Sequence, residues 1–338
     1  MVNCDIVSGA LILVLAFLAF NGQVTIPVLF VFQVFVGIAT VFFESASGGM
    51  IPALVHRDQL AVTNSRVAAL RTSAGILGPV AGAALYTSVD ITLLFFINGI
   101  SFLLSAVSEM FIRYNHIRHV KKSGIKGIFE DMKEGGVYIR NNKIIYSMSL
   151  YLFIIITLVG PVFILVLPLI FKTKLDYSDT GYGILQTFQV IGSLFGVILT
   201  GILSKKLSTE KVFSIGNIGF LFVLGVFSFV LCPMAYSTLG NDSLSYFLLL
   251  TGNIFFISMA FAFIGIPVQT LIQQSTPPEY MSRVFSIVGL ISKGGIPLGA
   301  FLLGLIINQI SLHWTMIGVM FVLMPLVLIM NRRLSLYI

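Results

Sequence analysis

Charged side chains that interrupt long apolar runs are the residues of this sequence best suited to chemistry. Arg71 stands about one and a half turns into one such run, and Lys293 stands deeper in another. A charge at membrane depth costs roughly 2.5–3.5 kcal/mol, so such a residue is a candidate for function. Arg71 could pair with Glu44 in a gate, or it could extend its guanidinium to the membrane surface. Lys293 could attract an anionic group in a cavity, or it could contact backbone carbonyls that Pro297 leaves free.

Two carboxylates, Glu44 and Glu109, stand at the ends of apolar runs. Burial favours the protonated form of a carboxylate, so a carboxylate near membrane depth can take up and release a proton. If these carboxylates couple transport to an ion gradient, the ion would therefore be the proton. Ordinary solvation at the end of a run is the alternative for both.

Amide side chains within the apolar runs could face a polar cavity. Gln186 and Gln189 lie three residues apart and therefore share one face of a helix. Asn98 and Asn253 stand alone in their runs. For all four residues, a hydrogen bond between helices explains the amide as well as contact with a substrate does.

Catalytic signatures are absent from the sequence. It contains no HExxH zinc motif, no GxSxG nucleophile motif after a strand and no GxxxxGK[ST] phosphate loop. His116 and His119 lie three residues apart in a basic segment without further metal ligands, which favours a solvated loop. We therefore expect a protein that is not an enzyme and has no cofactor, metal or ATP site, so an ion gradient would have to drive any transport.

Membrane-spanning helices must position these residues. The chain is 57% hydrophobic and 10% charged, more apolar than a soluble core requires. Apolar runs bounded by polar residues predict an all-α integral membrane protein, a polytopic bundle of about ten transmembrane helices. The predicted spans, of which the first is short, are 6–20, 26–43, 66–88, 91–112, 145–171, 181–203, 212–231, 246–268, 284–310 and 314–330.

The distribution of Lys and Arg predicts the orientation of the chain. If the spans alternate, all but four of the 20 Lys and Arg residues fall on one side. Lys172 and Lys174 fall on the other side, and Arg71 and Lys293 lie within spans. The positive-inside rule then predicts a multi-pass protein of the cell membrane with both termini in the cytoplasm. The same bias explains the net charge of +7 without nucleic-acid binding.

A segment rich in small residues, 64–85, recurs in part 217 residues later. Ser65-Arg66-Val67 matches Ser282-Arg283-Val284, Gly78 matches Gly295, and Gly82-Ala83 matches Gly299-Ala300, while Pro79 and Pro297 are one position out of register. Small residues let helices approach closely in lipid. We therefore predict a close-packed pivot at Gly75, Gly78, Pro79 and Gly82, which a larger residue such as leucine at position 78 would disrupt. An internal repeat with broken helices is typical of secondary transporters with a site between two halves.

The basic connector 113–144 divides the chain into an N-terminal half, 1–112, with four spans and a C-terminal half, 145–338, with six. Within the connector, Ile125, Ile128, Phe129 and Met132 recur at helical spacing. This pattern predicts a short amphipathic helix on the membrane surface.

Three stretches resemble a known family. They are FFESA at 42–46 followed by MIPALV at 50–55, Leu60 and Asn64-Ser65 leading to GPVAG at 78–82, and FFINGISFLLSA at 95–106. Together they resemble the major facilitator superfamily, in particular bacterial drug-efflux members that include macrolide and siderophore exporters. The resemblance implies two pseudo-repeated halves that export small hydrophobic compounds by alternating access within the lipid bilayer. It also adds Asn64 to the residues expected in the pathway or its gates.

Three features depart from the family pattern. Ser45 stands where the family usually has proline, and Lys205 in the GILSKK segment 201–206 stands where its gating loop usually has aspartate. Four spans against six imply that the chain begins at the family's third helix. The alternative function is therefore a truncated, non-transporting remnant or an accessory membrane subunit.

Overall fold

The computed structural model describes residues 1–112, 125–171, 175, 177–240, 243–307 and 309–335. Within these ranges every regular element is helical. The principal helices are α1 (Val2–Phe20), α2 (Ile26–Leu54), α3 (Leu60–Ser88), α4 (Ile91–Met110), α5 (Ile125–Asn141), α6 (Lys143–Pro161), α7 (Leu167–Leu169), α8 (Asp179–Leu203), α9 (Thr209–Val230), α10 (Pro233–Leu239), α11 (Leu244–Ser275), α12 (Met281–Ile307) and α13 (Leu312–Ser335). The predicted all-α class is confirmed.

Local sequence explains where several helices begin. The Asp90 carboxylate accepts a hydrogen bond from the Thr92 backbone N–H at 3.0 Å and caps α4. Its hydrogen bonds with Thr92 hold the pKa of Asp90 below its usual value. Asn142 caps α6 through the N–H groups of Ile144 and Ile145, both at 3.1 Å.

A π-helical turn, Val162–Val166, joins α6 to α7. Pro161 precedes this turn and Pro168 follows it, and neither residue has an N–H to donate to the helical ladder. The run from Lys143 to Leu169 is nevertheless long and apolar enough to cross a membrane. The predicted span 145–171 therefore forms one helical run with a π-helical interruption.

Nine helices in the described residues have the length and composition of membrane spans: α1, α2, α4, α6 with α7, α8, α9, α11, α12 and α13. The remaining predicted span, 66–88, lies within α3. This helix has 29 residues but is less apolar than the others, because it contains Arg66, Arg71 and many small residues. The first span is longer than predicted, since residues 2–5 join α1. The connector contains the predicted helix as α5; its place on a membrane surface stays a prediction.

The chain forms two compact units. Unit 1 contains Met1–His56, Ala74–Tyr138 and Thr276–Gly289, and unit 2 contains Arg57–Ser73, Ile139–Ser275 and Leu290–Ile338. Helices α3, α5 and α12 therefore contribute residues to both units. The division at the connector stays a prediction.

Close helix packing in unit 1 joins α1 to α4. A Cβ at Gly9 would lie 3.1 Å from the Gly99 carbonyl oxygen, and one at Gly99 would lie 3.2 Å from the Leu13 backbone nitrogen. Gly9 also faces Leu103, so α1 and α4 run antiparallel. The two glycines let these backbones approach as small residues do in membrane bundles.

Unit 2 packs α8 and α9 on α11 through glycines. A Cβ at Gly192 or Gly196 would collide with the backbone of Phe255 or Met259, and one at Gly216 would lie 2.7 Å from the Phe263 carbonyl oxygen. Large apolar side chains such as Leu185, Phe220 and Ile254 are fully buried around these contacts. Unit 2 thus has the dense interior that a helical membrane bundle requires.

Candidate functional site

The four charged residues singled out in the sequence lie on four different helices, with Glu109 partly buried in the last turn of α4. Glu44 on α2 is partly buried, whereas Arg71 on α3 and Lys293 on α12 are exposed. Glu44 belongs to unit 1 and Arg71 to unit 2, so their pairing stays a prediction. No group of three or more His, Cys, Asp or Glu residues in the described ranges could hold a metal. His116, His119, Lys172 and Lys174 lie outside those ranges.

The amide residues divide into two kinds. Asn98 on α4 and Gln186 on α8 are exposed, and Gln189 is partly buried. Asn253 is buried on α11, and its amide N–H donates to the Val223 carbonyl at 3.2 Å. The Asn253 side chain therefore links α11 to α9 by a hydrogen bond. A role for Gln186 and Gln189 in the transport pathway stays a prediction.

The close approach predicted at Gly75, Gly78 and Gly82 is not seen within the described part of the chain. A Cβ at each of these positions would meet no described atom within 4 Å. Pro79 lies within α3 between them. Small residues permit close packing only where a neighbouring helix covers them, and no described residue covers these three glycines.

The second copy of the repeat is packed as the first was expected to be. A Cβ at Gly295 would lie 2.9 Å from the Thr157 hydroxyl of α6. One at Gly299 would collide with the Thr157 carbonyl oxygen and lie 2.8 Å from Pro161. The pivot-like contact in this structure therefore joins α12 to α6.

Asn64 is the predicted site residue with the most specific surroundings. It is 3% exposed, and its side-chain N–H groups donate to Thr270 Oγ1 at 2.9 Å and to Gln273 Oε1 at 2.6 Å on α11. Thr270 in turn donates to the Ile266 carbonyl. Next to Asn64, the Cβ of Ser65 lies 3.0 Å from the position that a Cβ at Gly201 of α8 would occupy. The start of α3 is therefore held in unit 2 by a buried polar cluster.

The start of α12 is held in unit 1 by ionic and aromatic contacts. Arg283 forms salt bridges with Asp131 at 2.6 Å and Glu134 at 3.1 Å on α5. Tyr280 stacks on Tyr138 with ring centroids 4.2 Å apart, and Arg283 lies over the Tyr280 ring. Because the acids are half-exposed, each salt bridge is worth less than about 1 kcal/mol. The repeated Ser-Arg pair and the acids of the connector were the signals in the sequence, but neither indicated the partner.

These contacts match across the repeat. Ser65 lies against Gly201 in unit 2, and its counterpart Ser282 lies against Gly49, whose Cβ would be 3.5 Å from the Ser282 backbone nitrogen, in unit 1. Each copy therefore begins with a serine packed on a glycine, followed by an arginine. Arg66 is exposed, however, whereas Arg283 is paired.

A buried polar chain in unit 2 was not anticipated from the sequence. The Tyr151 hydroxyl of α6 donates to Asn217 Oδ1 of α9, and Asn217 donates to Asn331 Oδ1 of α13 at 3.2 Å. Tyr151 and Asn217 are fully buried. The sequence does not predict this contact, because Tyr151, Asn217 and Asn331 are isolated polar residues in three separate apolar runs.

Comparison with known proteins decides the family. The model described as Major Facilitator Superfamily matches residues 6–170 and 154–335. The chain belongs to the Major Facilitator Superfamily. It is thus a multi-pass membrane protein of a transporter family, in contact with the lipid bilayer.

Relatives and solved structures agree with this membership. Macrolide efflux protein A of Streptococcus pyogenes is 24% identical over 333 residues, which cover 94% of this chain and 76% of that protein. Macrolide efflux protein A of Enterococcus faecalis is 23% identical over 313 residues, which cover 88% of each. A bacterial homologue of the iron transporter ferroportin in an outward-facing state has a TM-score of 0.69 at 14% identity, covering 98% of this chain and 80% of that one. The E. coli fucose:proton symporter has a TM-score of 0.70 at 10% identity, covering 98% and 81%. The two structures support the fold alone.

Proposed function

We propose that this protein is a secondary transporter that exports small hydrophobic compounds of the macrolide kind, driven by an ion gradient. The observation that carries the proposal is the alignment with macrolide efflux proteins over nearly the whole chain. Exposed polar residues on otherwise apolar helices, such as Gln186 of α8 and Lys293 of α12, supply groups for a polar pathway. Alternating access about a site between two halves is the mechanism that broken, repeated helices favour.

The matched contacts of the repeat support this mechanism. The start of α3 packs in unit 2 through Asn64, and the start of α12 packs in unit 1 through Arg283. Hydrogen bonds and half-exposed salt bridges of this size can break and form again during a transport cycle, because each contributes only about 1 kcal/mol. We infer that these two sets of contacts open and close a gate.

Transport by purified protein tests the proposal. The full chain is reconstituted in proteoliposomes, a proton gradient is imposed, and the movement of a macrolide antibiotic and of a hydrophobic dye is measured. We expect movement that stops when an ionophore collapses the gradient. Empty liposomes are the control. If no compound moves under any ion gradient, the chain is instead a non-transporting remnant or an accessory subunit.

The two native cysteines test the proposed orientation. Cys4 lies at the start of α1 and Cys232 just after α9, both as free, partly exposed thiols. With both termini in the cytoplasm, Cys232 faces outward and Cys4 inward. In single-cysteine variants, C4S and C232S, we expect an impermeant maleimide to label Cys232 in intact cells and Cys4 only after permeabilisation. Labelling of Cys4 in intact cells would show that the N-terminus faces outward, contrary to the proposed orientation.

A further inference from the structure

Three helices of unit 2 meet at one end through the buried chain of Tyr151, Asn217 and Asn331. Tyr151 and Asn217 lie eight residues after the first residues of α6 and α9, and Asn331 lies four residues before the last residue of α13. Hydrogen bonds join these three side chains across the helices. The start of α6, the start of α9 and the end of α13 therefore lie together, and so do the charges that they carry.

This end of unit 2 carries more basic than acidic side chains. Lys143 begins α6, Lys211 lies in the first turn of α9, and Arg332 and Arg333 lie in the last turn of α13; all four are exposed. Helices α6 and α13 contain no Asp or Glu over their described lengths, and α9 contains only Glu210. Positive charge therefore remains in excess among these three helices even if Glu210 pairs with one of the cations.

Two of these cations border the same groove, between α6 and α13. Arg333 Nη1 donates a hydrogen bond to Ser147 Oγ at 3.3 Å. Ser147 stands one turn after Lys143 and therefore lies on the same face of α6. Lys143 and Arg333 repel each other across the groove, and an anion bound between them would remove this repulsion. Both residues stand where the apolar runs of their helices end, which is the level of lipid headgroups.

Exposed apolar side chains continue the groove toward the middle of both helices. On α6, Leu150 follows Ser147 by one turn. On α13, Ile329 and Val322 precede Arg333 by 4 and 11 residues and lie on the same face as Arg333. Val322 is about 16 Å from Arg333 along the helix axis, roughly half of the ~30 Å hydrocarbon core of a bilayer. The apolar walls therefore have the height of one leaflet, which is the height that an acyl chain covers.

We propose that the groove between α6 and α13 binds an anionic phospholipid, with the phosphate between Lys143 and Arg333. The phosphate oxygens accept hydrogen bonds from both cations, and the acyl chains cover Leu150, Ile329 and Val322. A soluble phosphate would leave these apolar side chains uncovered, and a zwitterionic lipid would bring its own cation to a surface with excess positive charge. In the predicted orientation the groove faces the cytoplasmic leaflet, where anionic lipids are abundant. The site does not depend on which compound the protein transports.

Quenching of tryptophan fluorescence by brominated lipid tests the site. The native chain has one tryptophan, Trp314, which is exposed at the opposite end of α13, whereas W314F/I329W has its only tryptophan in the groove. Each full chain is reconstituted in phosphatidylcholine that contains a minor fraction of phosphatidylglycerol with brominated acyl chains. For W314F/I329W we expect quenching above that of random mixing, with a preference for phosphatidylglycerol of about 30-fold, or about fivefold for each cation. Trp314 of the native chain should show only the quenching of random mixing, and an equal excess there would overturn the proposal.

Charge variants of W314F/I329W show whether the two cations hold the lipid. Adding K143Q/R333Q should return the quenching to that of random mixing. Adding K205Q/K206Q is the matched control, because it removes two exposed cations from the turn after α8, and it should leave the excess quenching unchanged. If K205Q/K206Q also removes the excess, general surface charge attracts the lipid, and the groove is not a site. Equal quenching by brominated phosphatidylcholine, or no excess with phosphatidylglycerol, would likewise overturn the proposal.

Discussion

Gly299→Ala is expected to destabilise unit 2 strongly, whereas Gly82→Ala, at the repeat-related position, is expected to leave the protein intact or slightly more stable. At Gly299 the new Cβ collides with the Thr157 backbone carbonyl, so α12 and α6 must separate. Overpacking usually costs about 1–3 kcal/mol, and a backbone obstacle places this substitution at the upper end. At Gly82 no described atom lies within 4 Å of the added Cβ. Alanine there gains up to about 1 kcal/mol of helix propensity.

The measurement is thermal unfolding of the full chain in detergent, with the yield of monodisperse protein as a second readout. Gly295→Ala supplies an internal control, because its Cβ would meet the Thr157 side-chain hydroxyl at 2.9 Å and not the backbone. Thr157→Ala should therefore restore the stability of Gly295→Ala but not that of Gly299→Ala. Equal melting temperatures for Gly82→Ala and Gly299→Ala would show that the two copies are packed alike, contrary to the structure.

The pair Gly82 and Gly299 also explains what the sequence could and could not predict. Long apolar runs specify membrane helices, because length and hydropathy belong to each segment alone. The helices and their approximate bounds were therefore predictable, including α5 in the connector. Which glycine is covered depends on a neighbouring helix, and both copies carry glycine at the matched positions 78/295 and 82/299. The pivot at Gly78 and Gly82 stays a prediction, while among the described residues the close contact is seen at the other copy.

The contact partners of polar residues could not be predicted either, because they lie on other helices. The distribution of Lys and Arg predicted only that Arg283 lies on the cytoplasmic side. Its salt bridges with Asp131 and Glu134 depend on the fold. Asp5 lies outside the predicted span 6–20, but α1 includes it and the fold buries it. Asn64 entered only through a family motif, yet its surroundings proved the most specific among the predicted site residues. The type and spacing of residues identify candidate polar residues, but their burial and contacts in the folded protein indicate what each one does.

Asn64→Leu is expected to open the polar cluster at the start of α3. Leucine keeps much of the volume of asparagine but loses both hydrogen bonds, to Thr270 and Gln273. A loss of about 1–2 kcal/mol changes the ratio of two states by a factor of about 5–30. If this cluster closes a gate, the closed state should lose population by that factor.

A disulfide reports the closed state directly. The Cβ of Ser65 lies 3.0 Å from the Cβ position at Gly201. This is about half an ångström short of the range of roughly 3.5–4.5 Å found in disulfides, so a small separation of α3 and α8 brings the pair into that range. In a chain without Cys4 and Cys232, S65C/G201C should therefore cross-link readily, and adding Asn64→Leu should slow cross-linking by about 5–30-fold. Asn253→Leu is the matched control, because it removes a buried hydrogen bond elsewhere on α11. It should lower the melting temperature without changing the cross-linking rate. If both variants slow cross-linking equally, Asn64 only stabilises the fold; if only Asn64→Leu does so, the cluster belongs to the gate.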